Sequence, residues 1–200
     1  SISQGEGHRD AIIIRGIEST ADFFIDGLRD DAQYYRPLYN VEQVEILRGS
    51  NALLFGRGGG GGVINRVTKR ARVGEQFTTA YAGVDTFGSF SFAADTNYSI
   101  TDQVAFRLNA YYQDLENHRD VYDGESYAFN PTFTVAFSPV TQGVFSYEYI
   151  DDDRVVDRGV PSQNVVGGPD IPLKNFEDTF FGSPDANFTT LEAHLLRARL

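Results

Sequence analysis

One segment near the start of the chain combines charged and aromatic side chains in a way that could bind a ligand. Residues 29–36 read Arg-Asp-Asp-Ala-Gln-Tyr-Tyr-Arg and follow neither a strand period nor a helix period, which predicts a loop. Arginine offers several hydrogen-bond donors and stacks on ring faces, and tyrosine adds a ring and a hydroxyl. This mixture suits a ligand that offers hydrogen-bond acceptors and flat ring faces.

Other kinds of chemistry are disfavoured by composition and spacing. The chain has no Cys, so disulfides, thiolate metal sites and cysteine nucleophiles are excluded. His8, His118 and His194 lack metal-ligand spacing. The 28 acidic and 17 basic residues give a net charge of −11, which argues against binding to nucleic acid. The glycines of residues 58–62 are followed by Val63 and Ile64 instead of Lys and Ser or Thr, so they predict a tight chain reversal and no phosphate-binding loop.

Short elements separated by turn residues fill the first third of the chain. Apolar and β-branched runs predict strands at residues 11–17, 23–25, 44–48 and 63–68, with Asp26-Gly27 as a turn. Pro37 predicts a short helical turn that extends through residues 41–43. A second short turn, capped by Ser50 or Asn51, is predicted at residues 52–55.

From about residue 75 the sequence alternates between apolar or aromatic and polar residues. The alternation predicts six strands, near residues 77–84, 89–100, 104–113, 127–138, 144–149 and 189–200, with a possible bulge at Leu195-Leu196. Short connections at residues 99–102 and 138–142 alternate with longer ones at 117–126 and 154–188. Long strands with short turns at one end and long loops at the other are typical of a transmembrane β-barrel. A secreted or periplasmic β-domain is the alternative.

Several motifs, in order, resemble the plug of TonB-dependent outer-membrane receptors. They are Arg15-Gly16-Ile17, residues 24–30 (FIDGLRD), residues 40–49 (NVEQVEILRG), residues 52–58 (ALLFGRG) and residues 61–69 (GGVINRVTK). Ser50 replaces the usual Pro, and the glycine run is uninterrupted where relatives often carry Ser, Pro or Thr. The nearest subgroup by resemblance is the catecholate-type branch of ferric-siderophore receptors.

The resemblance implies a fold and a division into domains. A small mixed plug, here residues 1–72, is followed by antiparallel strands of a transmembrane barrel, here residues 73–200. About six strands of a barrel of about 22 are present, so we expect an internal fragment that does not fold stably by itself.

The resemblance also implies a function. The whole protein is expected to bind an extracellular ferric siderophore and to import it across the outer membrane of a Gram-negative bacterium, driven by a TonB-type periplasmic protein. It is not expected to be an enzyme or to hold a cofactor, because the siderophore carries the iron. Outer-membrane lipid and lipopolysaccharide are expected partners, and nucleic acid is not. The alternative is a passive porin or adhesin barrel.

The resemblance finally suggests site residues. Expected siderophore contacts are Arg15, Arg29, Asp31, Gln33, Tyr34, Tyr35 and Arg36. Expected plug–barrel contacts are Arg48 and Arg66. The structural alternative for the loop is that Asp30 and Asp31 pair with nearby arginines while the tyrosines pack against the barrel wall. Residues 151–153, three aspartates at the predicted start of the longest loop, either attract divalent cations bound to lipopolysaccharide or form a solvated acidic loop.

Overall fold

The computed structural model describes residues 2–3, 7–48, 61–119, 121–164 and 168–200, and the regular secondary structure of these residues is almost entirely β-strand. Seven short strands come first: β1 (Ile2–Ser3), β2 (Ala11–Ile14), β3 (Ile17–Ser19), β4 (Phe23–Ile25), β5 (Leu28–Arg29), β6 (Val41–Leu47) and β7 (Val63–Thr68). They form two sheets, ordered β1-β2-β3 and β5-β4-β7-β6, in which β4 and β7 run parallel. No helix within the described ranges is long and apolar enough to cross a bilayer.

The turns of this first part follow the sequence closely. Arg15-Gly16 divides the predicted first strand into β2 and β3, and Asp26-Gly27 joins β4 to β5; all four residues have positive φ. The predicted helical turn through residues 41–43 is wrong, because Val41 already belongs to β6. Pairing of β6 with β7 outweighs the local signal of Pro37, and the register shifts between Val41 and Gln43. The predicted turn at residues 52–55 lies outside the described residues.

The apolar core of the first part lies between β4, β6 and β7. Phe24 and Val63 are almost fully buried, and Leu47 packs against them. A Cβ at Gly61 would lie 2.5 Å from the Ile14 carbonyl oxygen, and one at Gly62 would lie 2.6 Å from the Leu47 carbonyl oxygen. The described end of the glycine run is therefore packed too closely for any side chain.

Six long strands form a single antiparallel sheet, which we call the wall. In chain order they are β8 (Phe77–Val84), β9 (Phe90–Ser99), β10 (Val104–Glu116), β11 (Asp123–Ser138), β12 (Thr141–Val155) and β15 (Phe188–Arg199). Between β12 and β15 lies a separate two-stranded pair, β13 (Ser162–Gln163) and β14 (Ile171–Pro172). The predicted domain boundary at residues 72/73 falls between β7 and β8.

Two details of the wall differ from the predictions. No bulge occurs at Leu195-Leu196, because pairing with β12 continues without a shift from Arg199 to Phe188. Leu195 packs in a cluster under the wall while Leu196 is exposed on the other face, so two adjacent leucines serve two surfaces. The three aspartates of residues 151–153 lie inside β12 and do not begin a loop.

The wall buries its polar face. Asn109, Asn130, Thr132 and Glu148 are at most 2% exposed, and they face the first part of the chain. Most large rings of β9 to β12 point the other way, and Phe129 and Phe133 are 40% and 43% exposed. Tyr111 is the exception, because its ring faces the first part of the chain and stacks on Tyr39. The structure therefore confirms that the aromatic positions form one face and the polar positions the other.

Candidate functional site

A cleft of about 770 Å³ opens where the longer connections of the wall meet β2–β7. Its walls are the ends of β10 and β12 and the connections at residues 85–89, 117–122 and 156–159. Tyr35 and Gly7 line it from the first part of the chain. We call it the long-loop cleft. Its other lining side chains are mostly charged or polar: Asp85, Ser89, Gln113, Glu116, Asn117, His118, Arg119, Tyr122, Arg154, Asp157 and Arg158.

Arg154 links the wall to the aromatic side of the long-loop cleft. Its guanidinium carbon lies 4.6 Å from the centre of the Tyr35 ring, within the range of a cation–π contact. Asp152 accepts hydrogen bonds from Nε, at 2.6 Å, and from Nη2 of the same guanidinium. The carboxylate therefore fixes the plane of Arg154 and offsets its charge.

A second ion pair joins two connections at the rim. Arg119 Nη1 donates to Asp157 Oδ2, and both side chains are less than 10% exposed. Beside this pair, the Nε2 atom of His118 lies 3.1 Å from the carbonyl oxygen of Glu177. These contacts tie His118 and Arg119 to the connection between β12 and β15.

Three residues of the charged-aromatic segment, Asp30, Tyr34 and Arg36, are buried in a cluster with Arg66. Asp30 Oδ2 accepts hydrogen bonds from Arg36 Nε at 2.9 Å, Arg66 Nη2 at 2.7 Å and the Tyr34 hydroxyl at 3.0 Å. Burial is the main cause that raises the pKa of Tyr34 to about 12. Tyr34 also packs against Ala128 and Ile150 of the wall. Within this cluster one carboxylate is shared by two guanidinium groups.

The expected siderophore contacts occupy different environments. Tyr35 alone among them lines the long-loop cleft. Tyr34 and Arg36 belong to the buried cluster. Arg29 pairs with Asp22 and Asp31, Gln33 accepts a hydrogen bond from Arg9, and Arg15 is exposed in the turn between β2 and β3. Direct contact of these residues with a siderophore remains a prediction.

The expected plug–barrel arginines also differ from each other. Arg48 is exposed after β6. Arg66 is buried and bonded to Asp30 and Tyr34, both within the first part of the chain. Their contact with an acidic wall residue remains a prediction.

Sequence reasoning missed the side chains that connect the two parts directly. Glu148 of β12 accepts hydrogen bonds from Asn40 at 2.8 Å and the Tyr39 hydroxyl at 3.2 Å, while Arg197 of β15 pairs with its other oxygen at 2.8 Å. Asp95 of β9 pairs with Lys69 at 3.1 Å. The sequence signal that could have pointed to these contacts is an acidic residue at a polar position of a wall strand, as Glu148 and Asp95 are.

Comparison with known proteins decides the family. The family model of the TonB-dependent receptor plug domain matches residues 1–63. The crystal structure of the siderophore receptor PiuA from Acinetobacter baumannii has a TM-score of 0.87 and 27% identity, over 99% of this chain and 29% of PiuA. The chain belongs to the TonB-dependent receptors. The first part, β1–β7, is the plug, and the wall is the beginning of the barrel.

Two further TonB-dependent receptors support this assignment. The probable receptor BfrD of Bordetella pertussis is 34% identical over 182 residues, covering 84% of this chain and 23% of BfrD. The ferric-catecholate import receptor Fiu of Escherichia coli, in its open form, has a TM-score of 0.72 and 28% identity over 78% of this chain and 24% of Fiu. The chain thus spans about a quarter of the length of these relatives. The family confirms the predicted outer-membrane location and the expectation of a receptor that is not an enzyme.

Proposed function

We propose that the complete receptor binds an extracellular ferric siderophore in the long-loop cleft and imports it across the outer membrane. The observation that carries this proposal is the position of the cleft. It lies between the plug and the longer connections of the wall, which are the extracellular ends in barrels of this kind. The names of PiuA and Fiu, a siderophore receptor and a ferric-catecholate receptor, support a cargo of this type.

The plug explains why import would need energy. Tyr39 and Asn40 of the plug bond to Glu148, and Lys69 pairs with Asp95, so the plug is held against the wall by direct polar contacts. A passive porin would offer an open lumen on this side of the wall. We therefore propose that a TonB-type periplasmic protein acts on the plug to release the cargo inward.

Uptake in iron-starved cells tests the proposal. Cells that lack their own siderophore receptors and express the full-length gene are expected to accumulate iron supplied as a labelled ferric siderophore, and an uncoupler is expected to abolish the accumulation. Tyr35→Ala is expected to reduce uptake, because Tyr35 lines the cleft. Tyr98→Ala, on the outward face of β9, is the matched control. Uptake that persists in the presence of the uncoupler would favour a passive barrel.

A further inference from the structure

The charges of the long-loop cleft are balanced. Its basic side chains are Arg119, Arg154 and Arg158, and its acidic side chains are Asp85, Glu116 and Asp157. Arg119 already pairs with Asp157, and Arg154 is held by Asp152 through two hydrogen bonds. An anionic ligand would have to compete with these carboxylates for the guanidinium groups.

The arginines of the plug do not add positive charge to the cleft. Arg36 and Arg66 share Asp30 in the buried cluster, where their side chains are 2% and 4% exposed. Arg29 lies against Asp22 and Asp31. The arginines that suggested anion binding by residues 29–36 are therefore already paired with carboxylates within the plug.

The surroundings of the cleft are acidic. The connection between β12 and β15, residues 156–187, carries five acidic residues against two basic ones, Arg158 and Lys174. Asp114, Glu125 and Asp153 lie directly opposite one another on β10, β11 and β12 at the same end of the wall, where they add negative charge on its outward face and do not line the cleft. The excess of carboxylates at this end of the wall favours the approach of a cation over that of an anion, most strongly at low salt.

Asp85 is positioned to attract a cationic group of a bound ligand electrostatically. It lies in the connection between β8 and β9, where backbone N–H groups of Phe87 and Ser89 donate to Oδ1. These hydrogen bonds, that from Phe87 first, hold the pKa of Asp85 below its usual range. The carboxylate thus remains ionised at the mouth of the cleft.

Resting on the proposed function, we propose that the long-loop cleft accepts a ferric chelate whose net charge is zero or positive and that carries a cationic group, and that it discriminates against polyanionic chelates. The cationic group would meet Asp85 and Glu116, and a flat part of the chelate would lie along Tyr35. The similarity to Fiu, at 28% identity, supports the fold around the cleft. The preferred charge of the cargo is instead inferred from the side chains that line the cleft.

Binding of three ferric chelates to the purified full-length receptor tests this inference. The first is a linear trihydroxamate with a free terminal amine, whose complex carries one positive charge. The second is the same chelator with an acetylated amine, whose complex is neutral. The third is a tris-catecholate, whose complex carries three negative charges. We expect the cationic complex to bind at least about tenfold more tightly than the trianion at low salt, and the difference to shrink as salt rises.

A charge-removing pair of variants locates the effect. Asp85→Asn keeps a side-chain acceptor for the turn and removes the charge. It is expected to weaken binding of the cationic complex by about two- to fivefold and to leave the neutral complex unchanged. Asp102→Asn removes the same charge from the β9–β10 turn at the opposite end of the wall and is expected to change neither affinity.

The outcomes separate this inference from the proposed function. Tight binding of the tris-catecholate, equal to or better than that of the cationic complex, would overturn the charge preference while supporting siderophore binding. Equal effects of Asp85→Asn and Asp102→Asn would also overturn it, because the preference would not then belong to the cleft. Failure of the folded receptor to bind any of the three chelates would overturn the proposed function and the inference with it.

Discussion

The plug and the wall bury opposite kinds of side chain. The plug sheet closes on Phe24, Val63 and Leu47, as a small water-soluble domain does. The wall buries Asn109, Asn130, Thr132 and Glu148 and exposes its phenylalanines. The apolar core around Phe24 thus lies wholly within the plug, whereas the contact with the wall combines hydrogen bonds and ion pairs with a separate cluster around Tyr34, Ala128 and Ile150. A plug organised in this way can shift against the wall without exposing its own core.

The largest effect is expected from the plug core. Phe24→Ala should destabilise the plug by about 3–5 kcal/mol, because it removes a buried ring and leaves a cavity. Hydrogen exchange of the full-length receptor, followed by mass spectrometry, should show faster exchange in β4 and β7 and unchanged exchange in β10 and β11. The outward-facing Phe133→Ala is the control, and it should leave plug exchange unaltered.

The buried cluster should be nearly as sensitive. Asp30→Asn leaves the guanidinium groups of Arg36 and Arg66 buried without their shared countercharge, which should cost about 3 kcal/mol of plug stability. Asp31→Asn, whose side chain is 65% exposed, should change it by less than about 0.5 kcal/mol. Equal exchange rates in the two variants would show that Asp30 does not stabilise the cluster.

The contact between plug and wall should contribute less to stability than the plug core or the buried cluster does. Glu148→Gln keeps an oxygen for Asn40 and Tyr39 but removes the charge opposite Arg197, with an expected cost of about 1–3 kcal/mol. The change should raise exchange at residues 38–41 while β4 stays protected. Glu192→Gln, on the exposed face of β15, is the matched control. Faster exchange throughout the plug would contradict a separable interface.

The smallest expected effect is a pH dependence of plug stability. Burial raises the pKa of the Tyr34 hydroxyl from 10.0 to about 12, so folding favours the protonated form. The stability that this group contributes is complete below pH 10 and is lost as the pH rises from 10 to about 12. Plug exchange in the wild type should therefore accelerate across this window more than in Tyr34→Phe. Parallel curves for the two proteins would rule out this contribution.

Sequence patterns predicted the strands better than the contacts between them. Alternation located all six wall strands because a two-residue period directly reflects their two unlike faces. The helical turn predicted from Pro37 failed at Val41, where pairing with β7 decides the conformation. The bulge predicted at Leu195-Leu196 failed because the two leucines serve opposite faces of the wall. Both failures concern partners that are distant in sequence.

The candidate site was predicted less well for the same reason. Residues 29–36 have the composition of a binding loop, yet Asp30 meets Arg66, which lies 36 residues later in the chain. Nothing local distinguishes Tyr34, which is buried, from Tyr35, which lines the cleft. The contact between Asn40 and Glu148 spans 108 residues and required the structure.

Tyr35 occupies a position with a mechanical consequence. The residues on either side of it, Tyr34 and Arg36, both bond to the Asp30 carboxylate. A cargo molecule that pushes the Tyr35 ring aside therefore strains two covalently attached neighbours at once. Occupancy of the cleft would in this way reach the interior of the plug through a single peptide segment, and the wall through Arg154, which lies over the Tyr35 ring.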